Sequence, residues 1–349
     1  MTTILRSLIR KESLHILRDT RTMVITIVMP MVLLLLFGFA ISMEVNDVRV
    51  AVVIDRHTPR TRLVIERLSH NDYFTYCGIV AERDADALLR RGSADAVLYL
   101  RSDEGALRSH IVVDASNPVV GQASSGYLVS ILGDEDKNPV ITYTLYNPQQ
   151  KSAYNFVPGI MGMIFILICA IMTSVSIVSE KETGTMDLLL VSPVRPRTII
   201  FGKLIPYFML SCIILTVMLV LAYTVLELPV SYTVVSVVGV TLLYVILSLS
   251  IGLLVSTLVS NQVSALVVSA VLFMLPVIML SGMIFPIDNM PDVLQLLSCV
   301  IPARWYISAM RKLMIQQLEF HYVLREVAIL IGMTVALLTL AIKKFNSKN

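Results

Sequence analysis

The sequence predicts a polytopic α-helical membrane protein, with six transmembrane helices and a small α/β extracytoplasmic domain between helices one and two. Three observations predict it. Of 349 residues 56% are hydrophobic, the mean hydropathy is +0.78, and only 15% are charged, against roughly 25% in soluble domains. The apolar residues gather in uncharged windows at 22–43, 152–179, 204–226, 228–287 and 327–342, judged against the ~20 residues that cross ~30 Å of hydrocarbon. Between the first two windows the composition changes sharply: residues 44–151 carry 12 Lys and Arg against 15 Asp and Glu, a net of −3.

Residues 1–21 contain ILRSLIRKESLHILRD, which sets Ile4, Leu5, Leu8, Ile9, Ile16 and Leu17 against Arg6, Arg10, Lys11 and Arg18. This pattern reads as a cytoplasmic amphipathic helix lying on the inner leaflet. The first span, 22–43, is too long for a signal-peptide core and lacks a small-residue cleavage site, so it is expected to stay as an uncleaved anchor. Residues 44–151 then alternate strand and helix patterns. VRVAVVI reads as a buried strand, TPRTRLVIERLS as a helix, YFTYCGIV as a strand, ERDADALLRRG as a helix and ADAVLYL as a strand. SHIVVD follows as a strand and PVVGQASSGYLVSIL as a helix, which suggests a compact layered sandwich.

The second span covers 152–179 and the third 204–226. The window 228–287 is long enough for two spans, and the polar notch Ser260-Asn261-Gln262 divides it into helices at 234–259 and 263–285. Residues 286–321 read as short external helices punctuated by Pro286, Pro291 and Pro302. The sixth span, 322–342, borrows interfacial residues before its short apolar window, and 343–349 form a tail. Lys and Arg collect before span one, between spans two and three, and in the tail, whereas the 227–233 turn has none. Both termini are therefore expected in the cytoplasm, and the 44–151 domain outside.

Residues 180–203 are the most informative part of the chain, because a charged, punctuated segment lies directly between two long apolar runs. Glu180, Lys181 and Glu182 alternate in sign, Gly184 breaks the run, Thr185 reads as a helix N-cap with Asp187 in the first turn, and Ser192-Pro193 stop it. A loop needed only for reversal does not require this much helix punctuation. The segment reads as a docking surface, with an ordinary interfacial helix as the alternative.

Catalytic and metal chemistry find no support. The 44–151 domain has no Gly-rich phosphate loop, metal-spaced His cluster or nucleophile-base pair, and its acidic runs at Asp84, Asp86 and 134–136 read as solvated charge. Cys77, Cys169, Cys212 and Cys299 stand at no recognisable spacing and read as packing residues. Apart from Glu227, the span interiors as read from sequence hold no ionisable side chain, whereas ion-driven carriers place such groups at the midplane. Nor is there a motor, since Gly202-Lys203 is followed by Leu204 and lacks the earlier glycine of a phosphate loop. Energy for any transport must come from a partner.

EKETGTMDLLLVSP followed by GKLIPY resembles the cytoplasmic loop of type-2 permeases of the ATP-binding-cassette superfamily. LSGMIFPIDNMPDVLQLLSCVIPARWYISAMRK is similar to that family's exit from span five, its short external helices and the run into span six. The resemblance covers the whole plan and is closest to the bacterial multidrug-type branch with an enlarged external domain. His15, in an otherwise uniform amphipathic helix, is a departure.

The resemblance implies a permease subunit of an exporter in the bacterial inner membrane, moving an apolar or amphiphilic substrate. A separate cytoplasmic ATPase subunit would carry the ATP and Mg, so this chain would be no enzyme and need no cofactor. A second permease copy or paralogue would complete the pathway, a periplasmic adaptor is a further expected partner, and no nucleic acid is involved. The ATPase-coupling residues would be Glu180, Lys181, Glu182, Thr183, Gly184, Thr185, Asp187, Leu188, Leu189, Ser192, Pro193, Gly202 and Lys203. Leu188 and Leu189 equally suit packing against the chain's own spans. Pro286, Pro291, Pro302, Arg304 and Arg311 would shape the external helices, with snorkelling arginines as the alternative. Trp305-Tyr306 fits a membrane-interface belt better than a substrate cage. The other reading of the whole chain is a membrane-anchored receptor or adaptor-recruiting scaffold that uses the external α/β domain.

Overall fold

In hydrocarbon every backbone N–H and C=O must be paired within its own segment, so the long apolar runs have little choice but to be helices. The computed structural model describes residues 2–40, 48–71, 73–90, 93–103, 106–113, 118–132, 152–186, 191, 194, 196–230, 232–285, 287 and 290–348. Its backbone divides into two units, residues 42–151 and the remainder of the chain.

The remainder opens with α1 (Thr2–Arg18) and α2 (Thr20–Ala40), parted at Asp19, whose carboxylate accepts from the Thr22 backbone N–H at 3.2 Å. That bond satisfies one of the donors a helix start leaves open.

The intervening unit is a four-stranded sheet with helices. Its elements are β1 (Val48–Ile54), α3 (Pro59–Ser69), β2 (Phe74–Ile79), α4 (Glu82–Arg90), β3 (Ala96–Asp103), β4 (Ala106–Val113) and α5 (Pro118–Leu132). The order is β2-β1-β3-β4, with β1 parallel to both neighbours and β4 antiparallel to β3. Parallel neighbours require crossovers, and α3 and α4 supply them. Val48, Val50 and Val52 of β1 pack with Val64, Leu68 and Leu128, while Ala51 and Val53 pack with Ala85 and Ala94. A strand covered on both faces needs no polar alternation, which is why VRVAVVI is almost wholly apolar. Thr58 caps α3 in a reciprocal box: its Oγ1 accepts from Thr61 N at 3.2 Å and Thr61 Oγ1 accepts from Thr58 N at 2.9 Å, with Pro59 in the first turn. Opposite Ala51 the β2 register slips, and Gly78 there has φ +99°, a bulge that glycine alone takes without strain.

The chain continues with α6 (Ser152–Glu182), α7 (Pro196–Thr224), α8 (Val234–Ser256), α9 (Gln262–Leu280), α10 (Asp292–Ser298) and α11 (Pro302–Met310). A π-helical turn (Arg311–Ile315), a 3-10 turn (Phe320–Val323) and α12 (Leu324–Lys348) complete it. Among the described residues six helices are long and apolar enough to cross a membrane, and a bent pair, α10 with 302–315, turns through 86°. The chain is a mostly helical membrane protein. In the apolar stretch of α6 67% of residues are buried, against 17% in both α2 and α9, so α6 is the axis of the bundle and the other two lie at its margin.

Contact at that axis is set by small residues and satisfied hydroxyls. A Cβ on Gly252 of α8 would stand 2.7 Å from the Ala170 carbonyl oxygen of α6, so only glycine lets the two backbones meet there. Tyr244 and Tyr306 stack with ring centroids 4.2 Å apart. The Tyr244 hydroxyl donates to the Gly162 carbonyl at 3.0 Å, and the Tyr306 hydroxyl is 3.1 Å from Thr241 Oγ1, so neither phenol is left unpaired in the apolar interior. At the Ser260-Asn261-Gln262 notch, Asn261 Oδ1 accepts from Ser264 N at 2.7 Å and starts α9.

Candidate functional site

The second apolar helix does not stop at 179. It runs to Glu182, so the triplet Glu180-Lys181-Glu182 forms the last turn of α6 rather than a separate segment. The helix continues because each of the three charges finds a fixed partner within the chain. Lys181 Nζ donates to the Ser256 carbonyl at 2.6 Å, placing a cation on the C-terminus of α8. Glu182 Oε2 accepts from the backbone N–H and the Nε2 of Gln262 at 3.2 and 3.0 Å, placing an anion on the N-terminus of α9. Each charge sits at the helix end whose dipole favours it.

Glu180 faces a third direction. Its carboxylate lies 2.9 Å from Lys11 Nζ of α1 and 3.2 Å from Lys203 Nζ of α7. Lys203 lies inside α7, only 7% exposed, and also bonds Ser176 Oγ at 3.0 Å and stands 3.5 Å from Glu12 Oε2. Glu12 of α1 is 4% exposed and accepts at Oε1 from Ser176 Oγ at 2.7 Å and the Tyr207 hydroxyl at 3.0 Å. Burial pushes the Glu12 carboxyl up, but Lys203 and the two hydroxyl donors outweigh it, and the group is held below the ordinary carboxylate range. Two carboxylates and two ammonium groups thus balance in one cluster that fastens α1 to α6 and α7. The position of α1 is completed at Gly202, where a Cβ would stand 2.9 Å from Leu8 Cβ.

Beyond the triplet the chain turns outward. Gly184 has φ +74°, which ends α6, and its N–H bonds the Lys181 carbonyl at 3.2 Å. Thr183 Oγ1 donates to the Ser179 carbonyl at 2.8 Å and Thr185 Oγ1 to the Glu180 carbonyl at 3.2 Å, so both hydroxyls are spent on the helix end. Glu182 to Thr185 are exposed and Met186 is buried. Asp187, Leu188, Leu189, Ser192 and Pro193 lie outside the described residues; of the helix expected from Thr185 onward, Thr185, Met186 and Val191 are described, and all three are helical.

Glu12 was not among the sequence-predicted residues, although a signal for it exists. It falls four residues after Leu8 and four before Ile16, in the middle of the apolar stripe of α1, where an acid has no reason to be unless it is paired.

At the far end of α9 the external-helix residues separate by role. Pro291 precedes α10 and Pro302 opens α11, each where its missing N–H costs nothing; Pro286 lies outside the described residues. Arg304 Nη1 donates to the Gln295 carbonyl at 2.8 Å and also reaches Ser298 Oγ, bracing α10. Arg311 Nη2 donates to the Gly282 carbonyl at 2.8 Å. Among the described residues no group of three or more His, Cys, Asp and Glu is placed to hold a metal ion.

The comparisons with known proteins agree on one family. A model of the ABC-2 family transporter proteins matches residues 20–343. The chain is 27% identical over 329 residues to the probable multidrug ABC transporter permease YbhS of Escherichia coli K12, covering 88% of this chain and 87% of that protein. It is 27% identical over 320 residues to the probable multidrug ABC transporter permease YbhR of the same organism, covering 86% of each. It is 23% identical over 368 residues to ABC transporter G family member 20 of Dictyostelium discoideum, covering 97% of this chain and 50% of that protein. With six apolar helices, a charged junction at the end of the central one, and a family model that spans nearly the whole length, this chain belongs to the ABC-2 family of transporter proteins.

Proposed function

We propose that this chain is the permease subunit of an exporter in a bacterial inner membrane, moving an apolar or amphiphilic substrate out of the cytoplasm or the inner leaflet. A separate ATPase subunit, carrying ATP and Mg, drives it from the cytoplasmic side, and a second permease copy or paralogue completes the pathway. The observation that carries this reading is the last turn of α6. Glu180, Lys181 and Glu182 join α6 to α1, α7, α8 and α9, and the exposed Glu182–Thr185 stretch follows directly. A push delivered to that stretch reaches five helices at once. Coupling therefore works through internal ion pairs, with the stretch that follows α6 seated on the ATPase. The names of the Escherichia coli relatives support multidrug export. The 42–151 unit then lies outside, where a cleft of about 840 Å³ lined by Asp55, Glu82, Tyr99, Arg101, Arg108 and His110 suits a periplasmic adaptor.

The test is ATP hydrolysis by the reconstituted complex. Glu182→Lys is expected to abolish hydrophobic-substrate-stimulated hydrolysis at unchanged membrane abundance, because the substituted side chain repels the N-terminus of α9. Full stimulation in Glu182→Lys and in Gly184→Val would remove this junction from coupling.

A further inference from the structure

At the end of α9 opposite Glu182, a cavity of about 400 Å³ opens between Ser281, α11 and the start of α12. The 19 residues of α9 separate the two ends by about 28 Å at 1.5 Å per residue, close to the ~30 Å of a hydrocarbon core. With α9 crossing the bilayer, the cavity lies at headgroup depth in one leaflet. Its wall carries Arg304, Arg311, Lys312 and Arg325 against the single carboxylate of Glu326. Lys312 and Glu326 pair at 2.6 Å, which leaves three guanidinium groups, and among the described residues no carboxylate pairs with any of them. The guanidinium carbons of Arg304 and Arg325 stand 5.1 and 5.7 Å from the ring centroid of Trp305, which holds both cations in place. Arg311 Nε is buried and has no hydrogen-bond partner among the described residues, and neither does Glu326 Oε2. The half-buried Arg311 guanidinium keeps its proton and bonds the Gly282 carbonyl through Nη2 alone, so an arriving anion would satisfy Nε as well.

The surface beside the cavity is apolar. Val293, Leu296, Leu297 and Val300, on α10 and just after it, are all more than half exposed, and Arg304 is hydrogen-bonded to the Gln295 carbonyl of that same helix. A cationic pocket bordered by a bare apolar helix at headgroup depth is complementary to a molecule with an anionic head and hydrocarbon tails.

We propose that this cavity binds the phosphate of a phospholipid from the surrounding bilayer. The phosphate oxygens meet Arg311 and the Trp305-braced arginines, a headgroup hydroxyl or ammonium meets Glu326 Oε2, and the acyl chains lie along α10. The chain supplies its own reporter, because Trp305 is its single tryptophan. In the detergent-solubilised full chain, phosphatidylglycerol brominated on its acyl chains is expected to quench Trp305 at about one-tenth the concentration needed for brominated diacylglycerol, the scale of a charge-assisted hydrogen bond. Arg311→Gln should remove that preference. Arg325→Gln, at an exposed position that folding tolerates, should weaken it and decides the matter if Arg311→Gln fails to fold. Equal quenching by the two lipids, or an unchanged preference in both folded variants, overturns the proposal. Inorganic phosphate that abolishes quenching at the same concentration as the lipid would make the site one for a free anion, and the lipid assignment falls. None of these readings uses transport or ATP hydrolysis, so they stand or fall apart from the permease reading.

Discussion

At the scale of single residues, the Glu12–Lys203 contact is the most exacting arrangement in the chain. An acid and a base, both nearly dry, are tolerable only because each is bonded on more than one side: Glu12 by Ser176, Tyr207 and Lys203, and Lys203 by Ser176, Glu12 and Glu180. Removing one partner of such a pair typically costs about 3–5 kcal/mol, whereas replacing both with neutral groups of similar volume costs far less. Glu12→Gln and Lys203→Met are each expected to lower the thermal midpoint in detergent, and the double variant to recover much of the loss. Additive losses in that cycle would show that the two side chains are not coupled. The pH dependence has a definite sign. Because the folded Glu12 carboxyl is held below its ordinary value, its contribution is complete above about pH 4.3 and is lost only as the pH falls through the folded value. The Glu12 contribution should thus stay constant at neutral pH, and its loss in acid should make α1 accessible to protease.

At the scale of elements, helix approach and helix punctuation decide the bundle. Gly252 faces the α6 backbone at Ala170, which cannot yield as a side-chain tip can, whereas Gly239 on the same helix has nothing within 4 Å of an added Cβ. Gly252→Val should therefore destabilise by about 1–3 kcal/mol through overpacking, and Gly239→Ala should leave the midpoint unchanged or slightly raised. An equal response at the two positions in a detergent melt would refute the close approach. The same contrast explains what sequence reading recovers here. Six apolar helices are legible because hydropathy is a property of local composition, and the break before α9 is legible because Asn261 caps it with its own side chain. The end of α6 and the start of α7 are not. Glu180 to Glu182 look like the opening of a loop until the termini of α8 and α9, some 75 to 80 residues away, are seen to receive Lys181 and Glu182. Lys203 looks like a boundary residue because one of the two acids beside it sits on α1, 191 positions earlier. Pairings of that range leave no local periodicity, and only the misplaced acid in the apolar stripe of α1 hints at one. The cationic cavity is legible in part, since Arg304, Arg311 and the prolines draw notice, but its closure by Arg325 and Glu326 depends on how α12 returns past α11.

At the scale of the whole molecule, orientation decides which end of α6 an ATPase can reach. If all six apolar helices cross, the tail returns to the side of α1, and in the reading proposed here the clustering of Lys and Arg puts that side in the cytoplasm. The chain contains the reporters to test this. Of its four cysteines only Cys77, on β2, is exposed; Cys169 is buried and Cys212 and Cys299 are half-buried. Burial of its sulfur nevertheless pushes the Cys77 thiol up, so maleimide should react with it faster as the pH rises toward 8. Val191, in the stretch that follows α6, is 89% exposed and offers a site on the opposite face. If the coupling reading is right, a membrane-impermeant maleimide should label Cys77 in spheroplasts, and Cys77→Ser should remove that signal. In the Cys77→Ser background, Val191→Cys should be labelled only after the membrane is permeabilised. One position precedes α6 in the chain and the other follows it, so if α6 crosses the bilayer they are expected to respond oppositely in either orientation. Labelling of Val191→Cys from outside, with Cys77 of the parent chain protected, would put the α6 junction on the wrong face for any ATPase. The charge cluster would then be a structural clasp and nothing more.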